Sequence, residues 1–357
     1  MWFAQEREIV EAVDLELDRQ VEMPSGWRSR IAPSPIVNRT KNRSLVLLSG
    51  EGTTVPASEA KALFLAADPR SAFEAPEPRV LMADSEADPL AVGARIAFAR
   101  RVGYLLRSPS DASGLLTGHR VRFRSFDLSP RRSQPNPDEY LEGVSAVVDL
   151  TDPEYELTLV RGRRDYLAVT APSRMLQGWS QRRPRSRPFF HPSAIFPKLS
   201  RALVNMSRCK HGDVFLEPFA GTGSIAIEAS LVGADVVAID LADEMVRGAS
   251  SNMKHYAQEW LGVVRADSVQ LPVRRVHAVA TDIPYGRASS TRGRPPQLML
   301  KLLLPELATA MDHGSFLVLV HPRDVYVEPT SEFAIDEEHH LQVHKLLTRT
   351  ITVLKRR

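Results

Sequence analysis

Three strand-like, mainly apolar runs in the carboxyl-terminal half of this 357-residue chain each end on an acidic residue, and glycines crowd the turn after the first. Val214–Leu216 leads into Glu217, Ala234–Ile239 into Asp240, and Gly262–Ala266 into Asp267. Such short, continuous runs, rich in Val and Ile, suit parallel strands buried on both faces. After the first run comes Glu217-Pro218-Phe219-Ala220-Gly221-Thr222-Gly223, and then a helix expected over about Ser224–Leu231. The glycines allow a sharp turn and a close backbone approach to a ligand. Strand, turn and helix repeated in this way make a βαβαβ series, which commits the region to an open α/β sheet that binds ligands at its strands' carboxyl ends. Any one acid could be a helix cap or a loop residue. Three in one series are harder to explain as caps. Gly221-Thr222-Gly223-Ser224-Ile225-Ala226 also fits the loose dinucleotide fingerprint, so this pattern does not name the cofactor.

A fourth apolar run, Val276–Thr281, ends in Asp282-Ile283-Pro284-Tyr285. A carboxylate, backbone carbonyls and an aromatic ring side by side suit a planar base with an exocyclic amine. The oxygens would accept N–H bonds and the ring would stack on the base. A strand followed by a proline turn is the bland alternative for four residues taken alone.

With these motifs in place, residues 213–357 resemble a class I S-adenosylmethionine-dependent methyltransferase domain of the amino-methylating kind. Asp282-Ile283-Pro284-Tyr285 resembles that group's (Asp/Asn)-Pro-Pro-Tyr motif. The following Gly286-Arg287-Ala288-Ser289-Ser290 is similar, more narrowly, to archaeal tRNA guanosine-10 N2-methyltransferases and their eukaryotic relatives. The resemblance implies S-adenosylmethionine as cofactor, with Glu217, Phe219, Gly221, Gly223, Asp240 and Asp267 around it. It implies tRNA as substrate and Asp282, Ile283, Pro284 and Tyr285 at the reacting amine. Two departures stand out: Ile283 where the motif has Pro, and Ala220 where the family often has Cys. A backbone carbonyl at position 283 serves with either side chain, although Ile lacks proline's fixed φ.

The net charge is only +3, but its distribution is uneven. Between Arg161 and His211 the sole acid is Asp165, against twelve Lys and Arg, with Trp179, Phe189 and Phe190 interleaved. The stretch reads as a phosphate-contact surface, with a charged linker packed onto the catalytic domain as the alternative. Arg182–Pro192 holds three prolines and is expected to be extended, ahead of a helix over about Lys198–Met206 that would cover the cofactor side of the sheet. Pro188–Asn205 also resembles the family's lead-in to its catalytic domain. The single Cys209 argues against a disulfide framework or a thiolate zinc cluster. No apolar run approaches membrane-spanning length, and no signal-sequence pattern opens the chain, so a cytoplasmic location is expected.

The amino-terminal half mixes strands and helices in the manner of an α+β domain. Strands are expected at Leu45–Glu51, Val80–Ala83, His119–Phe126, Glu154–Val160 and Tyr166–Thr170. Helices are expected at about Ala57–Ala67, Ala91–Leu106 and Asp138–Val144. Val148-Asp149-Leu150-Thr151-Asp152-Pro153 and the strands after it resemble the THUMP module of RNA-modifying enzymes, and Leu45–Ala83 resembles that family's ferredoxin-like neighbour. The expected organisation is a 1–44 extension, a ferredoxin-like plus THUMP RNA-binding region over 45–172, a basic linker and lead-in helix over 173–212, and a Rossmann-like class I methyltransferase domain with a mostly parallel sheet over 213–357. Glu6–Val21 reads as a charged amphipathic helix. His339, His340 and His344 beside Glu337 and Glu338 invite a metal, but alternation in a late antiparallel hairpin explains them better, and no obligatory metal is expected. The rival functions are a DNA or rRNA amino-methyltransferase, a nicotinamide-dependent oxidoreductase, which would leave Asp282–Tyr285 without a role, and a non-catalytic RNA-binding protein.

Overall fold

Alternating and β-branched runs in the amino-terminal half assemble into one eight-stranded sheet. The computed structural model describes residues 42–50, 54–129, 133–172, 178–257, 260–284, 293–344 and 347–357. The helix expected near Glu6–Val21 lies outside these, as does Tyr285. The chain divides into two units, Ile31–Gly178 and a second that holds Trp179–Arg357.

In the first unit β1 (Asn42–Leu48), helix α1 (Val55–Ala67), β2 (Ala72–Glu77), β3 (Val80–Ser85), helix α2 (Pro89–Arg95) and β4 (Ala99–Leu106) form a βαββαβ set. Their spatial order, β2-β3-β1-β4, with every neighbour antiparallel, is that of ferredoxin-like folds. Strand β1 is buried on both faces: Val46 packs with Leu63, Phe64 and Val102, whereas Leu45 and Leu47 pack with Val80, Met82 and Val160. The sheet continues through β8 (Asp165–Thr170), β7 (Tyr155–Arg161), β5 (Arg120–Asp127) and the two-residue edge strand β6 (Val147–Val148).

One expectation fails here. Where a continuous helix over Ala91–Leu106 is expected, a helix of about two turns is followed by strand β4. Helix α2 stops at Arg95, Ile96 N closes it on Val92 O, and buried Glu59 on α1 accepts the two amides after that, Ala97 N at 2.7 Å and Phe98 N at 2.8 Å. Beyond that point Gly103 lies so close to β8 that a Cβ there would sit 2.0 Å from the carbonyl oxygen of Val169. Val102 and Tyr104 are good strand formers, and tertiary pairing decided a segment whose local signals were mixed.

Strand β5 alternates as expected. Val121 and Phe123 pack with Leu157 and Leu159. Arg122 and Arg124 turn to Glu156, a fully buried carboxylate that Arg101 also grips at 2.7 Å. These arginines therefore balance a buried charge in addition to facing the polar side.

In the second unit seven strands lie in the order β11-β10-β9-β12-β13-β15-β14. They are β9 (Val214–Glu217), β10 (Asp235–Asp240), β11 (Gly262–Arg265), β12 (Val276–Asp282), β13 (Met311–Pro322), β14 (Phe333–His344) and β15 (Leu347–Arg356). Strands β9 to β13 run parallel, and β15 and β14 close the sheet as an antiparallel hairpin. His339 and His340 sit in that hairpin, opposite Ile351 and Thr350. The helices are α3 (Pro197–Met206), α4 (Ser224–Ser230), α5 (Asp243–Tyr256) and α6 (Pro296–Ala310). Leu300, Leu303, Leu304 and Leu307 of α6 bury against Leu216, Val279, Leu317 and Phe333. Helix α3 packs against α4 and also contacts β12 and β13. The order is that of a class I methyltransferase fold, with the strand order, not the chain direction, reversing between β9 and β12. Among the described residues no helix is long and apolar enough to cross a membrane.

Helix α3 and the segment before it are fastened by one buried charge. Glu228 on α4 is 1% exposed and takes Arg182 at 2.7 Å and Arg201 at 2.8 Å. Trp179 lies against both guanidinium groups, 5.1 and 5.9 Å from its ring centre. Removing the carboxylate alone strands two buried cations, so Glu228→Ala is expected to destabilise this unit by about 3–5 kcal/mol. Urea unfolding followed by circular dichroism measures the loss.

Candidate active site

Strand β9 ends on Glu217, and the turn that follows needs glycine at two points. Gly221 has φ 52° and Gly223 φ 74°, both in the left-handed region that L side chains adopt at a cost. Ala220 N donates to Ile239 O at 2.8 Å, and side-chain hydrogen bonds fix the turn further to its neighbours. Thr281 Oγ1 on β12 accepts from Phe219 N at 3.3 Å, Asp240 Oδ2 accepts from Gly221 N at 2.8 Å, and the Ser268 hydroxyl donates to the Pro218 carbonyl.

The acids at the strand ends serve the protein itself. Glu217 is 2% exposed, and its two oxygens accept from Ala226 N at 2.7 Å and Ile225 N at 3.4 Å. Burial pushes its carboxyl well above the ordinary range, against the pull of those amides and of the Arg187 charge. Asp240 accepts from Ala242 N at 2.9 Å with its second oxygen, and burial raises its pKa against those amide bonds. Each carboxylate oxygen carries more than one acceptor site, so Asp240 can still take a ligand hydroxyl. Asp267 is clamped by Arg294, whose Nη1 lies 3.0 and 2.9 Å from its two oxygens.

Asp282 closes β12. Ile283 N donates to Val320 O at 2.9 Å, and its fully buried side chain joins the core with Leu300 and Leu303. An apolar side chain at this position is therefore anchored from below, where proline would be held by its ring. Arg349, near the start of β15, brings its Nη2 to 3.6 Å from Asp282 Oδ2, with both side chains largely buried. Because β15 is antiparallel, its first residues lie at the carboxyl ends of the parallel strands.

These elements enclose a cavity of about 590 Å³. Of the residues singled out from sequence, Glu217, Phe219, Gly221, Asp240, Asp267, Asp282, Ile283 and Pro284 line it. Gly223 does not line it and serves instead as the left-handed cap of α4. Tyr285 lies outside the described residues. Two arginines that the motif search did not pick out join the site, Arg294 and Arg349. No spacing rule links either one to the acid it meets, because Arg294 is 27 positions from Asp267, and α6, β13 and β14 lie between Asp282 and Arg349.

The basic stretch divides in two. Arg187 is 6% exposed and donates to Ser224 Oγ at 2.6 Å, Thr222 Oγ1 at 3.3 Å, Ile195 O at 3.2 Å and Arg182 O at 3.1 Å. Asn252 joins the Phe189 backbone to the Thr222 carbonyl, and the Phe189 ring lies against Gly248, where a Cβ would meet it at 2.1 Å. Arg187 thus packs the lead-in segment onto the glycine turn, Arg182 and Arg201 tie it and α3 to Glu228 of α4, and the phosphate-contact reading does not hold for these three. The segment is irregular, with a single 3₁₀ turn at Pro184–Ser186. Arg183 and Arg185 are exposed. Arg174 lies outside the described residues.

The sheet order, the turn at the reversal point and the Asp-Ile-Pro corner define a class I methyltransferase domain. A family model for the RMKL-like methyltransferase domain matches residues 184–351. The chain is 37% identical over 181 residues to a tRNA (guanine(10)-N2)-dimethyltransferase of Methanothermobacter thermautotrophicus, covering 50% of this chain and 54% of that protein. It is 29% identical over 223 residues to one of Methanocaldococcus jannaschii, covering 60% of this chain and 61% of that protein. It is 33% identical over 168 residues to a protein of Methanothermococcus thermolithotrophicus named a probable tRNA (guanine(10)-N2)-dimethyltransferase, covering 44% of this chain and 98% of that protein. The chain belongs to the family of these proteins. It spans 54% and 61% of the length of the first two.

The split of the basic stretch can be tested by stability. Arg187→Met leaves buried hydroxyl and carbonyl acceptors without their donor and should cost about 1–3 kcal/mol. Arg187→Lys should not restore it, because one ammonium cannot reproduce the fork. Arg183→Gln with Arg185→Gln should stay within about 0.5 kcal/mol of wild type. Chemical denaturation of the three variants distinguishes the two roles.

Proposed function

We propose that the chain transfers methyl from S-adenosylmethionine to the exocyclic N2 amine of a guanosine in tRNA, once or twice. The observation that carries this reading is the Asp282-Ile283-Pro284 corner facing the same cavity as the glycine turn and the strand-end acids. The names of the relatives support guanosine 10 as the position.

The residues around the cavity fit the cofactor's chemistry. Asp240 is suited to ribose hydroxyls, and Asp267 to an adenine amine. Phe219, Leu241 and Met245 offer apolar surface for the adenine faces, and Gly221 lets the backbone come near. When bound, S-adenosylmethionine supplies an electrophilic methyl group on a sulfonium. Guanine's amine is a poor nucleophile, because its lone pair is delocalised into the ring. Asp282 and the carbonyls of Ile283 or Pro284 accept the amine hydrogens and so orient the lone pair. Positive charge grows on that nitrogen as the bond forms, and a fixed carboxylate stabilises it more in the transition state than in the ground state. Tyr285 is assigned the stacking role of the motif. Attack by an amine on a sulfonium methyl requires no metal.

The amino-terminal unit is assigned to RNA selection, as a ferredoxin-like and THUMP pair, on the βαββαβ order of its first half and the Val148–Pro153 motif. A tRNA substrate is consistent with a cytoplasmic location. A nicotinamide cofactor would leave the Asp282 corner idle.

Calorimetry is expected to find S-adenosylmethionine binding and no NAD binding. Asp240→Ala should weaken that binding by about 1–3 kcal/mol, since the carboxylate both meets the ligand and holds Gly221. NAD binding without S-adenosylmethionine binding would overturn the cofactor.

For the reaction, tRNA is incubated with enzyme and donor, digested, and its nucleosides weighed by mass spectrometry. Wild type should yield N2-methylated guanosine. Asp282→Ala should abolish it while binding the donor normally, and Asp282→Asn should keep some activity through its amide oxygen. Methylated adenosine or cytidine in place of guanosine, or full activity of Asp282→Ala, would sink the proposal.

A further inference from the structure

Four carboxylates line the cavity at the ends of consecutive strands in the sheet: Asp267 after β11, Asp240 on β10, Glu217 on β9 and Asp282 on β12. Glu217 and Asp240 are held by backbone amides, and Asp267 by Arg294. Asp282 is met by a cation from the far hairpin, Arg349. The geometry points to Arg349 as a positioning residue that keeps Asp282 ionised and oriented as a hydrogen-bond acceptor for the reacting amine. This assignment rests on the methyl-transfer reading above.

The physical case follows from what surrounds Asp282. Glu217 ends the neighbouring strand β9, Asp240, Glu244 and Asp267 share its cavity, and His321 lies one strand away on β13 with its Nε2 on Thr352 Oγ1. His191 lines the cavity from the lead-in segment, and Arg349 reaches it from β15. Asp240, Glu244 and Asp267 bring like charge to one partly buried site, with Arg294 offsetting part of it at Asp267, and like charges disfavour ionisation of Asp282. Asp282 is itself only 15% exposed at its side chain, so desolvation acts in the same direction. A protonated Asp282 would present an O–H donor to an amine that needs acceptors. A guanidinium at 3.6 Å from Oδ2 opposes both effects, and its attraction for that oxygen biases the carboxylate's orientation. The same charge makes Asp282 a weak base. It should orient the amine without taking its proton, which leaves for water after the methyl has moved.

The test uses full-length enzyme, S-adenosylmethionine and unmodified tRNA, with initial rates across the acid range. Arg349→Met should lower kcat by about ten- to a hundredfold through loss of orientation. Its acid limb in kcat should move up by about 1–3 pH units, the span an adjacent guanidinium typically confers on an aspartate. The KM for S-adenosylmethionine should not move. Arg349→Lys should restore the acid limb and part of kcat, because it returns the charge without the fork. His191 and His321 are present in every variant, so a difference between profiles belongs to the substitution. If Arg349→Met does not fold, Arg349→Gln replaces it with the same expected shift. An acid limb superimposed on that of wild type, or a lysine variant no better than the neutral one, overturns the assignment. Wild type that methylates no guanosine in tRNA instead overturns the function on which it rests.

Discussion

The carboxylate of Glu217 holds the site together. It sits at the end of a fully buried strand and accepts the amides of Ile225 and Ala226, so the chain must reverse within the residues between. That closure forces Gly221 and Gly223 into left-handed conformations and starts α4 in register with β9. Asp240 then grips Gly221 from the next strand, and Thr281 grips Phe219 from the strand on the other side. Each bond is modest alone. Together they bring three strands to one point, and the cavity is the space left above it.

This arrangement changes what an acid in the motif means. Glu217 and Asp240 read naturally as ligand contacts, yet both meet backbone amides in the absence of any ligand. The two roles are compatible for Asp240, which is half-buried and retains acceptor capacity. They are less so for Glu217, whose oxygens are buried with the helix amides. Loss of Glu217 should therefore act through the turn.

The lead-in segment shows a similar economy. Its arginines look like a nucleic-acid surface when counted along the chain. Arg182 and Arg201 instead compensate Glu228, and Arg187 spans the back of the glycine turn. A guanidinium buried with enough acceptors is a cross-link of long reach, which suits an irregular segment with few backbone hydrogen bonds of its own. Of the described members of the stretch, exposed ones such as Arg183 and Arg185 remain for phosphate.

The strands and turns of the carboxyl-terminal half were legible in the residues, since short apolar runs ending on acids, with glycine after the first, permit few backbone paths. Asp282-Ile283-Pro284 was legible for the same reason, being local in sequence. Local pattern misled over Ala91–Leu106, where Gly103 and the pairing with β8 decided for strand, and over the arginines, whose charge is visible in sequence but whose burial is not. Arg294 and Arg349 left no signal, because each meets its carboxylate only after distant segments have folded together. Sequence determined the local path of the backbone and the chemistry it carries. Tertiary structure decided which charges face each other, because an ion pair depends on distance in space and not on separation along the chain.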